Sequence, residues 1–168
     1  MRLPQLPKIG LRTLKTALAV FLCLLLIPNE PFFACMTAVI CLQQTLPHSV
    51  QVGVNRALGT ILGGLIGLFF LAICRFINFH YSFAFGKRPL IDLMVALGII
   101  MVIYIFNLLK RPTAIPIACI VFLAITTVNA YKAPFYYALN RTFETLLGIF
   151  IALLVNKFIV PPQEEDNF

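Results

Sequence analysis

The sequence predicts an all-α polytopic membrane protein with six transmembrane helices, and three observations carry that expectation. Hydrophobic residues make up 61% of the 168 positions and charged residues only 11%, against about 45–50% and 25% in a soluble domain. The mean hydropathy of the whole chain is +0.96. Apolar stretches recur near 12–28, 31–46, 56–77, 90–109, 113–130 and 136–160. One crossing takes roughly 20 apolar residues, so six of them use most of the chain. A water-soluble globule is excluded, and so is a soluble catalytic domain beside the bundle.

Taken in order, the first stretch begins behind Arg2, Lys8, Arg12 and Lys15 and runs through Ala17–Ile27. That pattern resembles a signal peptide, but Pro28-Asn29-Glu30-Pro31 follows without a small-x-small cleavage site and another apolar stretch starts at once. A retained helix is expected. Pro28/Pro31 and Lys110-Arg111-Pro112 punctuate short turns, which makes hairpins of helices one and two and of helices four and five. Helices three and six are expected to start near Pro47 and Pro134, since proline suits a first helical turn. The longest connection, Asn78–Pro89, divides the chain into halves of about 12–77 and 90–160. Outside the six-helix domain (12–161) lie an N-terminal segment, 1–11, and a short acidic tail, 162–168.

The net charge of +7 would point to nucleic acid in a soluble protein. Here the cations lie between apolar stretches, where they set topology. Six crossings leave Arg2, Lys8, Arg12, Lys15, Arg56, Lys110, Arg111 and Lys157 on the side of the termini. Arg75, Lys87, Arg88, Lys132 and Arg141 fall on the other, a ratio of eight to five. Both termini are therefore expected in the cytoplasm. Cys23, Cys35, Cys41, Cys74 and Cys119 show no metal or redox spacing and read as small buried hydrophobes. His48 and His80 fall in expected connections with no ligand partners, so neither a metal nor a cofactor is expected.

An internal repeat gives the halves a common plan. Asn55-Arg56-Ala57-Leu58-Gly59-Thr60-Ile61-Leu62-Gly63 and Asn140-Arg141-Thr142-Phe143-Glu144-Thr145-Leu146-Leu147-Gly148 share Asn-Arg-x3-Thr-x-Leu-Gly. The match continues at Ile66/Ile151 and Leu68/Leu153, and the same spacing pairs Pro31 with Pro116. Each half has three crossings, an odd number, so the second enters from the opposite side. That is an inverted-topology repeat, a plan many transporters build around a solute site near the midplane.

Arg56 and Arg141 lie about two turns into their helices, where the macrodipole does not favour a cation. Charge at membrane depth faces a bundle interior or a wet cavity and marks an ion or substrate path, and a guanidinium fork suits carboxylates. Thr60 and Thr145, four residues on, lie on the same face as candidate neutral donors, with Asn55 and Asn140 completing the duplicated set. The alternative is that both arginines snorkel to headgroups as anchors. Glu144, the acid well inside a span, can pair with Arg141 at i+3 or act as a proton-coupling carboxylate. Gly59, Gly63 and Gly67 form a stripe for close helix packing, with Gly148 as the second-half counterpart. No phosphate-binding loop, zinc-helix motif or nucleophile elbow is visible. The chain reads as a non-enzyme, and a gradient or electrodiffusion would have to drive any transport.

Three segments carry a family resemblance: Ile9-Gly10-Leu11-Arg12-Thr13-Leu14-Lys15-Thr16-Ala17, the Asn55–Thr60 run, and Arg141-x3-Thr145-x2-Gly148 through Val155-Asn156 to Pro161. Together they resemble the aromatic acid exporter family of the fusaric acid resistance protein-like superfamily. The third- and sixth-helix motifs are also similar to those of plant aluminium-activated malate transporters, dimeric anion channels of a similar six-helix unit. The resemblance implies a six-helix bundle in the bacterial plasma membrane, an organic anion such as an aromatic carboxylate as solute, and a homodimer in the lipid bilayer without nucleic acid. It implies pathway roles for Arg56, Thr60, Arg141, Thr145 and Lys15. Longer relatives continue into a cytoplasmic domain where this sequence stops at Phe168. An exporter, a channel of the same fold and a non-transporting membrane scaffold all remain open at this stage.

Overall fold

The computed structural model describes residues 10–28, 30–80, 87–128 and 133–159. Among these the elements are helical: α1 (Leu11–Leu26), α2 (Phe32–Cys41), α3 (Leu46–His80), α4 (Lys87–Leu108), α5 (Ile115–Leu123) and α6 (Pro134–Phe158). A 3-10 turn at Pro112–Ala114 leads into α5, and a π-helical turn at Ala124–Val128 follows it. Two helices, α3 and α6, are long and apolar enough to cross a membrane; Phe32–Cys41, Asp92–Leu108 and Pro112–Thr127 are shorter apolar helices.

Element boundaries depart from the sequence expectation in the first half. The stretch expected to span 31–46 ends as a helix at Cys41. Ten residues rise about 15 Å, half of the ~30 Å hydrocarbon core. The cause lies in Gln43: its Nε2 donates to the Ile40 carbonyl at 2.7 Å, and its backbone N–H donates to Ser49 Oγ at 2.9 Å. Such side chains offer the backbone an alternative to the next helical turn. Helix α3 starts at Leu46, with Pro47 in its first turn, and α6 at Pro134, both where the prolines predict a helix start. His48 lies in the first turn of α3 and His80 is its last residue, so neither histidine sits in a connection. Both ends of the expected loop 78–89 are helical, since α3 continues to His80 and α4 begins at Lys87, and 81–86 lie outside the described residues. Arg2, Lys8, Lys132 and the acidic tail lie outside the described residues.

The chain divides into two compact units, one holding the described parts of Met1–Gln51 and Leu147–Phe168, the other Val52–Leu146. Their boundaries fall inside α3 and α6, so each unit draws on both sequence halves. In the first unit α1 and α2 pair as a hairpin turned at Glu30, with φ of 54°. Ala34, Thr37, Ala38 and Cys41 form a small buried face on α2. Gly148 meets it: a Cβ there would fall 2.5 Å from the Ala34 carbonyl oxygen.

In the second unit α4 and α5 pair as a hairpin turned at Lys110, again with φ of 54°. The α5 face receives the α3 glycines in sequence. A Cβ on Gly59 would lie 2.9 Å from the Ala114 carbonyl oxygen, one on Gly63 2.5 Å from that of Ala118, and one on Gly67 3.3 Å from Phe122 Cα. Glycine is needed at Gly63 and Gly148 because backbone, which cannot swing aside, occupies the space of a side chain. Around this seam Val95, Val102, Phe106, Ala118 and Phe122 form one buried cluster, with Phe70 set edge-on to Phe122 at 5.6 Å between centroids. Leu71, Val121, Ile125 and Ala138 form another.

Helix α6 shows how polarity is distributed. Its buried stripe includes Arg141, Glu144, Thr145 and Asn156, while Phe135, Leu139, Phe143, Leu146, Phe150, Leu154 and Phe158 are exposed. Both sets follow the three- and four-residue spacing of a helix face. Charge inside and phenylalanine outside is the reverse of a water-soluble helix. It is the arrangement that hydrocarbon surroundings favour, because ionisable groups then face the protein interior.

Candidate functional site

Within the second unit, α3 and α6 contribute the residues singled out by the repeat. Arg56 and Thr60 on α3, and Arg141, Glu144 and Thr145 on α6, are all buried. Each pair is separated by about one helical turn and therefore shares a face. Arg141 lies 3.8 Å from Glu144 through Nη1 and Oε2. Asn140 Nδ2 donates to the other carboxylate oxygen, Oε1, at 2.6 Å. On the opposite side the Arg141 guanidinium stands over the Tyr137 ring, 5.5 Å from its centroid. Arg56 and Arg141 are both buried within this one unit.

Charge counting gives this cluster its chemical character. Among the described residues of the second unit the buried charged side chains are Arg56, Arg141 and Glu144, two cations and one acid. At 5% and 6% exposure neither guanidinium is a headgroup anchor in the interfacial sense. A guanidinium screened by little water attracts an anion strongly, since the interaction scales inversely with the local dielectric.

The other members of the duplicated motif have separate roles. Asn55 donates through Nδ2 to Thr113 Oγ1 at 2.7 Å and accepts from Arg111 Nη1 at 2.9 Å. It ties α3 to the turn before α5, while its repeat mate Asn140 holds Glu144. Thr60 Oγ1 donates to the Arg56 carbonyl at 3.0 Å. Its proton is thus engaged on the helix backbone, a common fate of a buried helical threonine, and it presents lone pairs rather than the free donor expected. Thr145 is buried beside Glu144. Cys23, Cys41 and Cys74 are buried and Cys35 and Cys119 half-buried, all as free thiols. Among the described residues no group of three His, Cys, Asp or Glu is placed to hold a metal ion.

Lys15 belongs to the first unit. Its ammonium, 4% exposed, donates to Asn156 Oδ1 at 3.2 Å. Asn156 Nδ2 donates in turn to Ser49 Oγ at 2.8 Å and to the Gln43 carbonyl at 3.1 Å. Sequence reasoning had no role for Asn156, Ser49 or Tyr137. Asn156 had one usable signal: it falls on the Gly148–Ala152 face at four-residue spacing, a polar residue continuing a packing stripe.

Residues 18–155 match the family described as fusaric acid resistance protein-like. The chain belongs to that family, a membrane-protein family of transport-related character. Among curated proteins it is 32% identical to a UPF0421 protein of Staphylococcus haemolyticus, over 95% of this chain and 46% of that one. It is 30% identical to a UPF0421 protein of Staphylococcus saprophyticus (95% and 45%) and 29% identical to UPF0421 protein YgaE of Bacillus subtilis (95% and 42%). The chain thus spans less than half the length of these relatives. No solved structure matches it.

Proposed function

We propose that this protein is an integral membrane transporter that moves small organic, in particular aromatic, carboxylate anions across the bacterial plasma membrane. The observation that carries the reading is the burial of both duplicated arginines, Arg56 and Arg141, in one unit with the acid Glu144. A carboxylate entering there exchanges its hydration for guanidinium donors in a fixed fork geometry. Membership of a family described by resistance to an organic acid supports the same direction.

The six-span, inverted-repeat arrangement with cytoplasmic termini belongs to this proposal. It is supported by the shared Asn-Arg-x3-Thr-x-Leu-Gly motif and by the parallel packing of Gly63 on Ala118 and of Gly148 on Ala34, each against the carbonyl of a short helix. A homodimer is the proposed working form. In this scheme Glu144 holds Arg141 in place and is the candidate site for coupling a proton to anion movement.

The test is efflux of benzoate from proteoliposomes. Arg56→Ala and Arg141→Ala should each lower the rate by tenfold or more, the size expected for losing a charge-assisted contact of about 1.5–3 kcal/mol. Wild-type efflux from both folded variants would refute the arginine pathway. Currents that follow the anion gradient would mark a channel, and electroneutral exchange without current a coupled carrier.

A further inference from the structure

A second feature of the molecule concerns the first unit and uses none of the arginine-pair residues. Lys15 is buried with a neutral amide as partner, and among the described residues no carboxylate lies within ion-pair distance of it. A buried ammonium normally meets a counter-charge, because the dipole of one amide oxygen offsets little of the several kcal/mol lost on leaving water. The amide is itself held firmly: Asn156 donates to Ser49 Oγ and to the Gln43 carbonyl, and Ser49 accepts from the Gln43 backbone N–H. These bonds fix Oδ1, rather than the amide nitrogen, toward Lys15.

Beside the ammonium lies a cavity of about 170 Å³ lined by Leu11, Arg12, Lys15, Gln43 and Gln44. Its lining supplies two cations, two primary amides and an apolar wall, and no acid. Water takes about 30 Å³ per molecule in the liquid, so the space suits a small solute rather than one ordered water. The complement of this lining is an oxyanion on a compact apolar body.

We infer that Lys15, oriented by Asn156 and flanked by Arg12, Gln43 and Gln44, forms an anion-binding site in its own right, which takes the carboxylate of a small organic acid. The ligand then supplies a counter-charge that no described residue provides. Asn156 is a positioning residue, and Lys15 and Arg12 are the contacts. The inference deepens the transport reading by adding a second station for the same class of solute, yet it stands on different residues. An anionic lipid headgroup offers the same oxyanion chemistry from another source.

The experiment titrates benzoate into purified full-length protein in detergent, read by calorimetry and by thermal shift. Asn156→Asp is the decisive variant, because it keeps the side-chain shape while placing an internal carboxylate against Lys15. Benzoate affinity should fall at least about tenfold, as expected when a unit charge a few ångströms away cancels the site's own. Lys15→Gln should lose benzoate binding to a similar degree, whereas Lys110→Gln, at an exposed cation in the α4–α5 turn, should bind within twofold of wild type. Benzoate affinity unchanged in Asn156→Asp would overturn the inference even if Lys15→Gln does not fold. Phosphatidylglycerol that stabilises the protein where benzoate does not would assign the site to lipid and overturn the solute reading. Failure of the arginine pathway appears separately, as unchanged efflux in Arg56→Ala with Lys15-dependent binding intact.

Discussion

The two units each bury cations, and they compensate them by different means. In Val52–Leu146 the pair Arg56 and Arg141 is accompanied by a carboxylate, Glu144, which Asn140 holds in place. In the unit formed from Met1–Gln51 and Leu147–Phe168, Lys15 meets an amide and, among the described residues, no carboxylate, and the polar network behind it serves to orient that amide. The first solution fixes a charge permanently. The second leaves the compensation incomplete, so that stability there depends on what the surroundings supply. Both clusters draw on α6, through Asn140–Thr145 and through Asn156, yet the same helix contributes an ion pair in one unit and a neutral acceptor in the other.

The largest effect expected from this difference is that of Glu144→Gln. Removing the acid takes away the carboxylate paired with the buried Arg141 and should cost about 3–5 kcal/mol, read as a steep fall in melting temperature of the purified protein. An equal loss in Lys15→Met would erase the distinction between the units. Next come Gly63→Ala and Gly148→Ala, whose new methyl groups would each lie 2.5 Å from a backbone oxygen. Each should cost about 1–3 kcal/mol. A clear inequality between them would break the parallel between α3 on α5 and α6 on α2.

Lys15→Met itself should be neutral or raise stability by about 1 kcal/mol in anion-free buffer, since an apolar side chain replaces an incompletely compensated charge. The smallest effect belongs to the two turns: Glu30 and Lys110 share a left-handed φ of 54°. Glycine there relieves a strain of about 1–2 kcal/mol but adds unfolded-chain entropy. A net gain near 0.5 kcal/mol is expected for each, measurable by thermal unfolding of Glu30→Gly and Lys110→Gly.

Much of the fold was legible in the sequence because hydropathy and proline are local signals. The starts at Pro47 and Pro134 and the hairpin turns before Pro31 and Pro112 needed nothing beyond them. The end of α2 was not legible, since it depends on Gln43 choosing the Ile40 carbonyl and Ser49 over a continuing helix. Both glutamine and serine occur within helices elsewhere, so their presence alone decides nothing. The site divides in the same way. Repetition marked Arg56 and Arg141, but not that Asn55 would clamp Thr113 and Arg111 while Asn140 gripped Glu144. Equal residues at equal spacing diverged because their neighbours differ: a threonine and arginine precede α5, whereas α6 carries its own acid one turn on.

The polar stripe of α6 also bears on how the protein reaches its membrane. The helix holds five Leu, four Phe, two Ile and one Val, worth about 4–7 kcal/mol toward insertion at about 0.3–0.6 each. Arg141 and Glu144 oppose this by about 5–7 kcal/mol if charged at membrane depth. The balance is near zero, so α6 gains little by entering lipid alone. Its partition into the bilayer is then governed by helices that arrive before it and offer its charged face somewhere to go, which makes α6 a late and cooperative step of assembly rather than an independent anchor.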